Sequence, residues 1–148
     1  MTLNEVMDIA RDDHCLAVVA TLRPDLTIQS TIVNAGVLPH PRSGDPVVGF
    51  VTYGQRKLVN LRTNRRVTIT FRAGWRWATV EGEAEMIGPD EPKQPLSPEQ
   101  FRLLLREVFT AAGGTHYDWD DYDRTMKEQR RAVVLVTPTR IYSNRPSG

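Results

Sequence analysis

The sequence has little of several features that mark particular classes of protein. It contains one cysteine, Cys15, which excludes an intrachain disulfide framework and a CxxC metal or redox site. No apolar run approaches the roughly 20 residues that a membrane-spanning helix needs, and no secretory signal sequence is recognisable. We therefore expect a protein without a membrane span, located in the reducing environment of the cytoplasm.

Further absences narrow the function. The 19 Lys and Arg residues balance 18 Asp and Glu residues, and the aromatic residues are not interleaved with a basic stripe, so no nucleic-acid partner is expected. The histidines His14, His40 and His116 are scattered without ligand spacing, which argues against a metal site. GxSxG, P-loop and GxGxxG motifs are also missing. These absences argue against hydrolase, kinase and Rossmann-type enzymes.

The patterning that is present predicts one domain over residues 1–148. Hydrophobic residues make up 40% of the chain and charged residues 25%, an ordinary globular composition. Alternating β-branched runs predict strands, and apolar residues at helical spacing predict helices. The predicted strands cover residues 15–22, 27–33, 47–53, 67–71, 78–87 and 132–137, with a continuation over 140–143. The predicted helices cover residues 2–11, 57–63, 118–129 and a segment that starts at Ser97 and ends at Gly113.

Proline-rich segments separate these elements. They predict a loop over residues 38–46 and a surface connector over residues 88–98. The predicted strands follow one another mostly as hairpins, and helices are appended to them. This order predicts an antiparallel barrel with appended helices and argues against a doubly wound parallel sheet.

The most informative motif is TYGQRKLVNL, residues 52–61. A strand runs into Gly54, the cations Arg56 and Lys57 follow, and a helix begins at once. Two cations at the positive end of a helix are mildly unfavourable unless an anion lies between them. Backbone N–H groups, the helix end and both cations therefore predict a phosphate-binding turn, although a solvated basic turn is the alternative.

Two further groups of residues have two interpretations each. Trp75 and Trp77 lie two apart at the start of a predicted strand, where they can wall a planar heterocycle or pack in a core or an interface. Gln29 and Thr31 share one face of the second strand. They either meet solvent or hydrogen-bond the edge of a bound ring.

The order of these motifs resembles the pyridoxamine 5′-phosphate oxidase-like split-barrel superfamily. The resemblance rests on the glycine turn with Arg-Lys, the short helix ending in Asn-Leu-Arg, VTITF at residues 67–71, and a Trp-x-x-Val-Glu-Gly-x-Ala strand at residues 77–84. The closing segment YDWDDY at residues 117–122, with Met126 and the run RRAV at residues 130–133, is similar to the B class of flavin/deazaflavin oxidoreductases, which use coenzyme F420.

This resemblance implies a mainly β fold with appended helices, namely a six-stranded antiparallel split β-barrel (an FMN-binding split barrel). It implies a homodimer with a cofactor at the subunit interface, either F420 or, as an alternative, FMN. The expected reaction is hydride transfer from reduced deazaflavin to an electron-poor unsaturated small molecule, and a non-catalytic F420 carrier or sensor is the other alternative. Cofactor binding is implied for Gln29, Thr31, Thr52, Tyr53, Gly54, Gln55, Arg56, Lys57, Asn60 and Trp77.

Three expectations concern the reaction and its substrate. Tyr53 or solvent would protonate the product. Arg62, Arg65 and Arg66 would contact the polyglutamate tail of F420. The arginine-rich substrate motif of pyridoxamine phosphate oxidases is absent from the sequence, so oxidation of vitamin B6 is not expected.

Overall fold

The computed structural model describes residues 1–93 and 95–144, which form six strands and four helices. The strands close into an antiparallel barrel in the order β1-β2-β3-β6-β5-β4. The strands are β1 (Leu16–Leu22), β2 (Ile28–Pro39), β3 (Pro46–Thr52), β4 (Arg66–Ala73), β5 (Arg76–Ile87) and β6 (Ala132–Ser143). The helices are α1 (Leu3–Arg11), α2 (Gln55–Thr63), α3 (Pro98–Ala111) and α4 (Trp119–Glu128). The predicted fold class, a six-stranded antiparallel barrel with appended helices, is confirmed.

Alternation of side chains places the first apolar cluster inside the barrel. On β4, Val67, Ile69 and Phe71 point inward and are buried, as the period of two in the sequence predicts. Phe50 of β3 and Val80 of β5 complete the centre of this cluster. The helix α1 packs against the same cluster through its apolar face, so it closes part of the barrel.

β2 extends well beyond its predicted end at residue 33, so the loop predicted over residues 38–46 is shorter in the structure, and β6 runs without the predicted break at residues 138–139. β2 reaches Pro39, and its terminal proline pairs with Pro46, the first residue of β3. Prolines are tolerated at these strand ends, where the missing N–H costs little. β6 continues through Pro138, which lies opposite Gly82, next to an irregularity in the register at Glu81. A bulge of this kind lets a strand pass a residue that cannot donate a hydrogen bond.

The boundaries of α3 follow from local chemistry that the sequence predicted. Ser97 accepts a hydrogen bond from the Gln100 N–H, the Gln100 side chain binds the Ser97 N–H in return, and Pro98 is the first helical residue. At the other end Gly113 has φ +87°, and the N–H of Gly114 donates to the Phe109 carbonyl at 2.9 Å. This is a Schellman motif, which ends helices with a glycine in the left-handed region.

The predicted connector carries neither helix nor strand in its described part before Pro98. Gln94 lies outside the described residues. Within residues 1–93 and 95–144, no helix combines the length and the apolar character that crossing a membrane requires.

A second apolar cluster lies outside the barrel, between α3 and the sheet. Leu104 and Val108 of α3 pack with Val47 of β3 and Leu135 of β6. The approach is close because β2 has no side chain at Gly36, where a Cβ atom would lie 2.1 Å from the Ala111 carbonyl oxygen. The helix α3 therefore lies directly on the sheet, and α4 packs against α3.

Candidate functional site

A cleft of about 670 Å³ lies where β2 and β3 part. The two strands are paired from Ala35 with Phe50 to Pro39 with Pro46, and beyond this segment each continues beside another neighbour. One side of the cleft, the barrel side, is formed by residues 32–34 and 51–54 and by Lys57. The other, the helical side, is formed by Val108, Phe109, Ala112, His116, Tyr122, Thr125, Met126 and Arg131.

Lys57 is a buried cation on the barrel side. Only 7% of the residue is exposed, and its Nζ lies 5.6 Å from the centroid of the Phe50 ring. No carboxylate among the described residues forms an ion pair with it. Desolvation by burial lowers the pKa of the Lys57 ammonium group below its usual value. A buried charge without a partner is costly, so the site is suited to an anion from outside the chain.

The turn that carries Lys57 leaves backbone donors available. Gly54 is the N-cap of α2 and provides no side-chain cap, while its own N–H donates to the Thr52 hydroxyl at 3.0 Å. The first N–H of the helix with a backbone acceptor belongs to Leu58, which binds the Gly54 carbonyl. The N–H groups of residues 55–57 precede it, and in the first turn of a helix such groups have no intrahelical acceptor.

A side chain at position 54 would begin close to the Lys57 ammonium group. A Cβ atom there would lie 3.9 Å from the Lys57 Nζ and 3.3 Å from the Thr52 Oγ1. The backbone φ of Gly54 is −69°, so its conformation does not itself require glycine. The turn thus combines an ammonium group, a positive helix end and open space, which is the arrangement that binds phosphate in proteins.

Asn60 joins α2 to the barrel and does not line the cleft. Its side chain is fully buried, and its Nδ2 donates to the Thr21 Oγ1 at 3.1 Å and to the Gln29 Oε1 at 3.0 Å. Two buried polar atoms in this region, the Asn60 Oδ1 and the Thr31 Oγ1, have no partner among the described residues. The structure therefore brings together Gln29 and Asn60 of the predicted site, outside the cleft lining.

Other predicted site residues lie outside the cleft lining. Gln55 and Arg56 are exposed on α2. Trp77 lies half-buried on β5, with its ring edge-on to Tyr142 at 6.1 Å between centroids. Trp75 is 94% exposed in the turn between β4 and β5. The part of these residues in cofactor binding stays a prediction.

The arginines proposed for a polyglutamate tail lie near the end of α2. Arg62 forms an ion pair with Glu91, with 2.7 Å between its Nη2 and the Glu91 Oε1. Arg65 and Arg66 are exposed. Their contact with a polyglutamate tail stays a prediction as well.

Sequence reasoning missed the helical side of the cleft. Its most distinctive member is Arg131, whose guanidinium carbon lies 3.9 Å from the centroid of the Tyr53 ring. From the sequence, Arg131 belongs to the run RRAV that resembles the deazaflavin oxidoreductases, with no role in binding implied for it. The aromatic residues around Trp119 were the signal in the sequence that this segment forms a wall of the cleft. In the structure, Phe109, His116, Trp119 and Tyr122 pack together beside it.

The charged side chains that line the cleft are all positive. Its described lining contains the cations Lys57 and Arg131 and no Asp or Glu. Across residues 1–93 and 95–144, no group of three or more His, Cys, Asp or Glu side chains could hold a metal ion. The arrangement can therefore hold an anionic ligand with a planar apolar part, between the cations and the aromatic wall.

The closed six-stranded antiparallel barrel with appended helices is the architecture of a split-barrel protein, and comparison with known proteins agrees with this class. The family of pyridoxamine 5′-phosphate oxidase matches residues 4–145, so the chain belongs to this family.

Solved structures share the fold. A conserved hypothetical protein of Mycobacterium tuberculosis is 22% identical, with a TM-score of 0.68 over 97% of this chain and 84% of that one. An F420 reductase is 18% identical, with a TM-score of 0.57 over 88% of this chain and 91% of that one. An FMN-binding protein of Nostoc punctiforme, related to pyridoxamine 5′-phosphate oxidase, is 12% identical, with a TM-score of 0.62 over 95% of this chain and 82% of that one.

Proposed function

We propose that this protein is an oxidoreductase that binds coenzyme F420 and reduces an electron-poor unsaturated small molecule. The observation that carries the proposal is Lys57, a buried ammonium group without a carboxylate partner among the described residues, in the first turn of a helix without a side-chain cap. A phosphate group bound there would compensate this charge and accept hydrogen bonds from the free N–H groups.

The residues of the cleft fit a phosphorylated planar cofactor. The volume of about 670 Å³ lies within the range of small-molecule sites. Its barrel side supplies Lys57 and the turn at Gly54 for the phosphate, and its aromatic residues Tyr53, Phe109 and Tyr122 supply flat apolar surfaces for a ring system. A bound deazaflavin supplies two-electron chemistry, in which a hydride passes from the reduced ring to the substrate.

The chain itself would then act mainly by binding and orientation. Lys57 and the α2 amides hold the phosphate, and the cleft walls set the plane of the ring. The proton that completes the reduction comes from solvent or from Tyr53, which is exposed at the cleft. Deazaflavin is favoured over FMN by the resemblance of the segment 117–122 and its continuation to the B class of deazaflavin oxidoreductases.

We also propose that the protein is a homodimer. Val18 of β1 and Ile32 of β2 lie opposite each other on the outer face of the barrel, and both are exposed, as are Leu16 and Ile28 on the same strands. Apolar side chains in a contiguous exposed group are typical of a protein interface. Ile32 also lines the cleft, so pairing through this face would place the cofactor at the subunit interface.

An absorbance titration with oxidised F420 and with FMN tests the proposal. We expect saturable binding of F420 and much weaker binding of FMN. Protein that is purified with tightly bound FMN, or that does not bind F420, would contradict the cofactor assignment. Reoxidation of reduced F420 by a panel of enones and quinones then tests catalysis. Tight binding without reoxidation across the panel would favour the carrier or sensor.

A further inference from the structure

Arg131 occupies a fixed position at the end of α4. Arg130 has φ +50°, its N–H donates to the Lys127 carbonyl at 3.1 Å, and the Arg131 N–H donates to the Met126 carbonyl at 3.0 Å. These two hydrogen bonds form a Schellman motif, with an arginine where glycine is usual. The motif turns the chain from α4 into β6 and places the Arg131 side chain in the cleft.

Two contacts hold the guanidinium group of Arg131. Its Nε donates a hydrogen bond to the Gln129 Oε1 at 2.8 Å, and its central carbon lies over the Tyr53 ring, 3.9 Å from the ring centroid. Its two Nη groups have no carboxylate partner among the described residues. Burial lowers the pKa of Arg131, whereas Asp90 raises the pKa of its neighbour Arg130 by accepting a hydrogen bond.

We propose that Arg131 is a second anion site in the cleft and that it binds a carboxylate of the substrate. The proposal rests on the proposed function, in which the phosphate of the cofactor occupies the turn at Gly54 and Lys57. The two free Nη groups of a guanidinium held in this way form a planar fork, which matches the two oxygens of a carboxylate.

The surroundings of Arg131 indicate what the carboxylate is attached to. Tyr53 lies under the guanidinium, and Tyr122 lines the same cleft. Aromatic side chains favour a flat, apolar framework next to the bound group. The substrate class is therefore an aromatic or unsaturated carboxylic acid, with its double bonds conjugated to the carboxylate. The positive charge of Arg131 would offset the negative charge of the carboxylate, which otherwise makes a conjugated double bond a poor hydride acceptor.

Calorimetric titration without cofactor tests the site directly, with benzoate as probe, its neutral analogue benzamide as ligand control and inorganic phosphate as probe of the other site. The test variant is Arg131→Gln, and Arg130→Gln is the matched control at the adjacent arginine. We expect wild-type protein and Arg130→Gln to bind benzoate better than benzamide. Arg131→Gln should weaken benzoate binding by about tenfold or more while phosphate binding changes less than about twofold.

Three results would overturn the inference: no detectable binding of benzoate to the wild-type protein, equal binding of benzamide, or equal losses of benzoate and phosphate in Arg131→Gln. The last result would place Arg131 in the phosphate site. Arg131→Lys keeps the charge without the fork, so its benzoate affinity should be intermediate, and unfolding temperatures show whether each variant is folded. Because benzoate is titrated without cofactor, failure of F420 binding and failure of the carboxylate site are separate results.

Discussion

The two sides of the cleft are built in different ways. The barrel side lies at the end of a paired strand, since Thr52 pairs in register with Ala132 of β6, and Asn60 ties the following helix to β1 and β2. On the helical side, α3 packs on the sheet through the second apolar cluster, and side-chain hydrogen bonds tie α4 to α3. Asp123 of α4 accepts hydrogen bonds from Arg102 at 2.8 Å and Arg106 at 2.9 Å.

This difference separates two tasks. A turn anchored by a paired strand holds its donors in one geometry, which suits the constant part of a ligand, in the proposed function the phosphate of the cofactor. A helix joined to its neighbour by ion pairs can shift with less disturbance of the barrel, which suits the variable part of a ligand, in the proposed function the substrate. We therefore expect variants of the two sides to affect different measurements.

Lys57→Met should give the largest effect. It removes the charge but keeps most of the apolar stem, so F420 affinity should fall by about ten- to a hundredfold, the loss of one charged hydrogen bond or ion contact. Absorbance titration measures the change, with the exposed Lys127→Met as control. Thermal stability should not fall, because the lowered pKa of Lys57 means that its charge opposes folding at neutral pH. Unchanged affinity in a folded Lys57→Met protein would refute the phosphate site.

Asn60→Ala tests the tether of the barrel side. It leaves the Thr21 and Gln29 oxygens without their buried donor, so the free energy of unfolding should fall by about 2 to 3 kcal/mol. Urea unfolding measures this loss. Asn64→Ala is the control, because the Asn64 side chain accepts only an exposed hydrogen bond from the Arg66 N–H and should matter less. Equal losses of unfolding free energy in both variants would show that the buried hydrogen bonds of Asn60 contribute no more than an exposed one.

Asp123→Asn tests the tether of the helical side. We expect a loss of about 1 to 2 kcal/mol in the free energy of unfolding, seen as a lower unfolding temperature, and little change in phosphate affinity. Asp121→Asn is the control, since among the described residues that carboxylate pairs only with the exposed Arg124 of its own helix. A large loss of phosphate affinity in Asp123→Asn would show that the two sides are coupled.

The interaction of Asp123 with Arg102 and Arg106 predicts a pH dependence of stability. Hydrogen bonds from Arg106 and Arg102 lower the pKa of Asp123 below its ordinary value of 3.8. A lowered carboxyl pKa stabilises the fold at neutral pH, and this contribution is lost as pH falls below about 4 toward the folded pKa. The difference in unfolding temperature between wild type and Asp123→Asn should therefore shrink below about pH 4. A constant difference down to lower pH would contradict the assignment.

Arg56→Gln should give the smallest effect. Arg56 lies next to Lys57 in the sequence, but its side chain is exposed on α2. Exposed charges are screened by solvent and salt, so F420 affinity should fall by no more than about threefold. Measured beside Lys57→Met, this variant shows how much burial adds to a cation. A loss as large as that of Lys57→Met would mean that the bound cofactor reorganises the turn.

Much of the barrel side was predictable from the sequence. Strand alternation, the glycine turn and the adjacent cations are local signals, and they correctly predicted β3, α2 and the closed antiparallel barrel. The prediction of an anion site at Lys57 rests on the same ten residues and is tested by the Lys57→Met variant. The burial of Lys57 and the exposure of Arg56 did not follow, because which face of a short helix meets the barrel depends on long-range packing.

The helical side was predictable as elements but not as a wall of the cleft. The caps of α3 and its apolar stripe are visible in the sequence. Which strand residues face α3 across the cleft is not, because that depends on where β2 and β3 separate. Arg131 was missed for a local reason. The Schellman motif that positions it has Arg130 in the left-handed region instead of a glycine, so the sequence carries no mark of the turn.

The glycine at position 36 sets the distance between α3 and the sheet. It lines no part of the cleft, yet the missing side chain determines how near α3 stands to the sheet, and α3 carries α4 with it. A larger residue there would have to push the helix outward and widen the gap above the strands. A single substitution at this position, beneath α3, would therefore let a protein of this architecture accept larger ligands, while every residue that lines the cleft stays unchanged.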